Sequence, residues 1–162
     1  MNRKEVIIEQ LQLTHNKSYW FVSFQKAIAG LTVEQAKWKN RDAENSIWDI
    51  ISHLVFWNER YLNRFKGIQN PAMEGNNDTT FSSLNGVTWE EVVEKFNLVM
   101  TDWVQTVKES EDEKFDQQVS EESPGTWLET LTSITLHNAY HIGQIVTIRK
   151  MQGSWSKEQG VS

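Results

Sequence analysis

Two histidines four residues apart, His137 and His141, stand inside an apolar run, with Ile142-Gly143-Gln144 directly behind them. On a helix this spacing puts both imidazoles on one face, about 6 Å apart along the axis. Burying two rings side by side is costly unless their nitrogens find partners, and a divalent metal suits two neutral imidazoles at once. Only two other histidines occur, His15 and His53. A third nitrogen ligand must come from one of them. Three histidines make a catalytic zinc-type set with a fourth position for water or substrate, and the same nitrogens suit nickel, cobalt or iron.

The rest of the sequence narrows the chemistry. No cysteine is present, so disulfides, thiolate ligands and a cysteine nucleophile are excluded. Asn138 follows His137 where a zincin protease carries glutamate, which argues against that class. A general base must come from elsewhere. Asp49, four residues before His53, shares its helix face and is a candidate to orient that ring or act as base. A helix cap accounts for it equally well. Gln144 lies near the histidine pair and is a candidate to hydrogen-bond a ligand, with interhelical packing as its bland alternative. No strand-turn-helix elbow frames a serine nucleophile.

These groups need elements to hold them, and 162 residues suffice for a single domain, taken as 1–162. A formal charge of -6 without a basic patch disfavours nucleic acid as a partner. No apolar run approaches the ~18 residues a membrane helix needs, and the charged start is no secretory signal. The expectation is a cytoplasmic protein. Eight tryptophans are many, and filling a helical core is their simplest use.

Only Pro71 and Pro124 interrupt the chain, both in loop-like stretches. The periodicity predicts a first helix from Arg3 to Ala29, with a stop at Gly30, and a short connector at 31–38. A second helix opens at the Ser46-Ile47-Trp48-Asp49 capping box and runs to Lys66 before Gly67, with His53 bordering its apolar stripe. Residues 67–87 read as a long loop, a length that is often functional. The third helix starts at the Thr88 box and reaches Lys108, and the acidic stretch 109–122 reads as an exposed loop. The fourth runs from the Thr126 box to Gln152, before Gly153. Four long helices without alternating strands predict an all-α four-helix bundle with long crossover connections. In a bundle His53 can meet His137 and His141 across facing helices, and His15 can also face inward.

The segments Trp48-Asp49-Ile50-Ile51-Ser52-His53-Leu54 and His137-Asn138-Ala139-Tyr140-His141-Ile142-Gly143-Gln144-Ile145 resemble the DinB-like superfamily, which includes the DinB and YfiT-like metalloenzymes of bacteria. The likeness extends from Leu11 to Gly153. It implies an up-down-down-up bundle, commonly a homodimer, with a divalent metal, zinc or nickel foremost, on His53, His137 and His141. It further implies thiol-dependent transfer or isomerisation using a low-molecular-weight thiol such as mycothiol or bacillithiol, or metal-dependent hydrolysis. Many relatives have glutamate four residues before the helix-two histidine, where this chain has Asp49. The expected function is a metal-dependent enzyme acting on a small electrophilic substrate by thiol transfer or hydrolysis. The alternative is a non-catalytic small-ligand or stress-response module with a structural or vestigial metal site. Tyr19, Trp20, Trp57 and Trp127 are candidates to line the substrate pocket or to fill the core.

Overall fold

The computed structural model describes residues 1–41, 45–82, 86–120 and 123–160. It is mostly helical, with one small antiparallel sheet. Four long helices carry the core: α1 (Arg3–His15), α4 (Ile47–Phe65), α5 (Trp89–Glu109) and α6 (Trp127–Met151), with the short helices α2 (Phe24–Ile28) and α3 (Val33–Lys37) between the first two. α5 and α6 each pack against both α1 and α4, so the four long helices close a ring around one core.

Local chemistry sets the ends of α4, α5 and α6. Capping boxes form at Ser46/Asp49, Thr88/Glu91 and Thr126/Glu129, each hydroxyl accepting the N–H three residues on while the carboxylate accepts the cap's own N–H. α4 closes with Gly67 at φ +75°, where the Gly67 N–H donates to Arg64 O and the Ile68 N–H to Asn63 O. α6 ends in the same way at Gly153, φ +74°. Both are Schellman closures, which place a residue in the left-handed region that glycine adopts without a Cβ penalty.

The first helix differs from expectation. It stops at His15 instead of reaching Ala29, and the chain re-enters a helix only at Phe24. Side chains there offer the backbone other partners: Thr14 Oγ1 donates to Gln10 O and Leu11 O, and Ser18 Oγ accepts the Ser23 N–H. Such local bonds compete with the helix, and the Tyr19-Trp20-Phe21-Val22 run of aromatic and β-branched residues propagates it poorly. Val22, Phe24 and Ala27 still reach the core by the turn and short helix instead. Trp20, by contrast, is 81% exposed, and Tyr19 is exposed beside it.

The long loop holds a 3-10 turn at Asn77–Phe81, and the acidic stretch holds another at Asp112–Asp116 followed by β1 (Gln118–Ser120) and β2 (Ser123–Thr126). Residues 83–85 and 121–122 of these stretches lie outside the described residues. The first turn is anchored on its Asn76 cap, whose Oδ1 accepts the Asp78 N–H. Of the eight tryptophans, Trp48, Trp89, Trp103 and Trp127 are buried, and Trp127 packs edge-on against Phe65 within the core.

Candidate metal centre

α4 and α6 face each other through buried apolar stripes, and that packing brings three imidazoles to one point. His137 Nε2 lies 3.0 Å from His53 Nε2 and 3.0 Å from His141 Nε2. His53 and His141 are only 2% and 5% exposed, whereas His137 is half-buried. Among the described residues no carboxylate joins this cluster. His15 is remote from it: its Nε2 pairs with Asn97 Oδ1 at 2.9 Å on α5, and its ring meets Phe96 edge-on.

The opposite ring nitrogens are held. His53 Nδ1 is 2.5 Å from Thr80 Oγ1, and that hydroxyl lies 2.6 Å from Asn77 O. A carbonyl only accepts, so Thr80 donates to Asn77 and must accept from His53 Nδ1–H. That leaves His53 Nε2 as a bare lone pair. His141 Nδ1 lies 2.6 Å from Gln144 Oε1, while Gln144 Nε2 donates to Tyr140 Oη at 3.1 Å. With Nδ1 donating to that amide oxygen, His141 Nε2 is a second bare lone pair. Phe81 stacks flat on the His53 ring, centroids 3.9 Å apart and planes within 9°, and fixes its orientation.

Residues 22–145, most of the chain and including all three histidines, match the DinB superfamily. The chain belongs to the DinB superfamily. Neither the curated proteins nor the solved structures compared with it gave a match.

Within this DinB domain the sequence candidates separate. His53, His137, His141 and Gln144 come together. Asp49 sits one turn from His53, but its Oδ2 accepts the Ser46 N–H at 2.9 Å and pairs with Lys39 Nζ at 2.8 Å. The described contacts of Asp49 are those of a helix cap and of an ion pair with Lys39. Three contributors escaped the sequence reading: Asn77, Thr80 and Phe81, all from the 3-10 turn. A threonine in a loop rich in Asn, Thr and Ser has no spacing that marks it, and loop length was the only signal.

The surroundings keep all three rings neutral. Burial, then the neighbouring His141 and His137, pushes His53 down to about 3. Burial, then His141, pushes His137 down to about 4. Burial lowers His141 as well, partly offset by its bond to Gln144. Each folded value thus lies below the unfolded one, so as pH falls through about 6.5 the unfolded chain takes up protons first. Stability in the metal-free protein is complete above that pH and drains away below it. The expected loss is about 1.4 kcal/mol per pH unit for each ring still neutral in the fold. Urea titrations of metal-free protein at about pH 7.5 and about pH 5 check this, the midpoint falling at the lower pH.

Protons alone cannot satisfy the cluster. Two lone pairs converge on His137, which offers at most one N–H at Nε2, so at least one buried nitrogen lacks a donor. A single cation between the three satisfies them all. An ion bound at about 2.0–2.1 Å to each nitrogen separates tetrahedral ligands by about 3.3 Å, close to the 3.0 Å between His137 Nε2 and each of the other two, and the three ligand atoms all lie within 4.8 Å of one another. The residues present therefore fit a divalent metal. Thr80→Val, which removes the acceptor on His53 Nδ1 at nearly constant volume, is expected to lower metal affinity about 10–100-fold. Competition with a chromophoric chelator measures it.

Two clefts reach the centre. One, about 820 Å³, exposes all three histidines beside Tyr140 and Gln144. The other, about 680 Å³, reaches only His137, between Trp57 and Tyr61 of α4 and the start of α6. No helix among the described residues is long and apolar enough to cross a membrane.

Proposed function

We propose that this DinB-superfamily protein is a metal-dependent enzyme, with one divalent ion, zinc or nickel foremost, held by His53, His137 and His141. The observation that carries the reading is the convergence of three Nε2 atoms whose protons cannot satisfy one another. A divalent ion on three neutral nitrogens supplies Lewis acidity, which polarises or helps deprotonate a group on a small molecule. The chain's own residues do the rest. Thr80 and Gln144 hold the two flanking rings in the tautomer that presents Nε2, Phe81 limits rotation of His53, and Ile50 and Ile148 add apolar side chains to the cleft beside the rings. Asp49 contributes through the cap that fixes the start of α4.

The reaction is thiol transfer or hydrolysis of a small electrophilic substrate, with a low-molecular-weight thiol as the co-substrate in the first case. The four long helices form an up-down-down-up bundle, and the protein works in the cytoplasm as a homodimer without nucleic-acid or membrane partners. The family membership, the open clefts and the acidic charge support this reading. Turnover of a panel of activated esters and haloaromatics, with and without added thiol, tests it on protein loaded with zinc or nickel. The expected result is metal-dependent turnover that His141→Ala abolishes. Turnover that is equal in metal-free protein contradicts it.

A further inference from the structure

The smaller cleft has a character of its own. Trp57 and Tyr61 form one wall, their rings 6.1 Å apart, and Ile134 lies opposite on α6. The indole is pinned, because Trp57 Nε1 donates to Asn77 Oδ1 at 3.2 Å. Among the described residues no lysine or arginine belongs to the lining, and the Arg64 guanidinium beside it lies over the Tyr61 ring, 5.1 Å from its centroid. Among the described residues its one charged side chain, Glu129, is already engaged, accepting the Thr126 N–H at 2.7 Å and the Thr126 hydroxyl at 3.0 Å. The space is about 680 Å³, within the range of small-molecule sites, and it ends on His137.

We propose that this cleft binds a neutral, planar aromatic group of a small molecule, stacked along Trp57 and Tyr61 with its other end at His137. An anionic group finds no lysine or arginine among the described lining residues to offset its desolvation, the Arg64 guanidinium being held over the Tyr61 ring, whereas a flat apolar ring gains burial and ring-ring contact. The remaining polar groups, chiefly hydroxyls and the Asn77 amide, orient the ring rather than attract charge. The Asn77 turn also joins this wall to the centre: its side chain holds Trp57, and its carbonyl accepts from the Thr80 that holds His53. Placing the reacting end at His137 rests on the proposed enzymatic reading; the aromatic preference of the cleft does not.

The test uses N-phenyl-1-naphthylamine, a neutral probe that brightens in apolar sites, and its sulfonated analogue 8-anilinonaphthalene-1-sulfonate. On the full chain the neutral probe is expected to saturate one site, with the sulfonate at least about tenfold weaker. Ser133→Trp, which projects a ring into the cleft from an exposed position, should weaken the neutral probe by about tenfold or more. Tyr61→Ala carries the same test if that variant fails to fold by circular dichroism. His141→Ala, outside this cleft, should leave probe affinity within about threefold, so failure of the metal site is read apart from failure of the cleft. Absence of saturable binding, equal affinity for the sulfonate, or unchanged affinity in the folded cleft variants overturns the proposal.

Discussion

Replacing His137 by alanine is expected to abolish stoichiometric metal binding. His137 is the hinge of the cluster, since its Nε2 is 3.0 Å from each of the other two. Structural zinc on four ligands is bound with about 10–16 kcal/mol, or about 3 kcal/mol per ligand, so losing one lowers affinity about a hundredfold or more. His53→Ala and His141→Ala should lose comparable affinity. His15→Ala is the control, because His15 is committed to Asn97 and should leave the metal content unchanged. Metal-to-protein ratios measured after purification without an affinity tag decide between these outcomes.

The second large effect concerns the polar pair that locks α4 to α6. Asn58 Nδ2 donates to Asn138 Oδ1 at 2.8 Å, and Asn138 Nδ2 donates back to Asn58 Oδ1 at 2.9 Å. Asn138 is 0% exposed, directly beside His137, and Trp103 Nε1 donates to the Asn58 carbonyl. Asn58→Leu removes both amide bonds to Asn138 and leaves the Asn138 Nδ2 only the weak Met100 Sδ acceptor at 3.7 Å, and the expected cost is about 2–4 kcal/mol. That is a large share of the about 5–15 kcal/mol that holds a typical domain together. Combining it with Asn138→Leu removes both amides and should bring stability back to within about 1 kcal/mol of the parent. Chemical denaturation of the three variants checks this, and a double variant no more stable than the single one would rule out the paired-amide account.

Much of this was legible in the sequence, because it depends on contacts a few residues apart. The capping boxes at Ser46, Thr88 and Thr126 and the glycines at 67 and 153 mark helix ends through their own backbone chemistry. The His137/His141 spacing shows a shared helix face for the same reason. The break after His15 was hidden, since apolar residues continue at spacing a helix would also use, while the competing bonds of Thr14 and Ser18 leave no periodic trace. Thr80 and Phe81 were hidden differently. They act on His53 from 27 and 28 residues away, and only the folded loop brings them there. The short β1–β2 pair, residues 118–120 and 123–126, is too brief and polar to show an alternating pattern.

His53 joins His137 and His141 by helix packing rather than by spacing, and the centre stands or falls on that meeting. Anomalous scattering from crystals of the full chain, collected across the zinc and nickel absorption edges, tests it most directly. The predicted result is one peak among the three Nε2 atoms, at about 2.0–2.1 Å from each. A map with no peak there in metal-loaded protein, or with the ion held at another set of residues, would contradict the account.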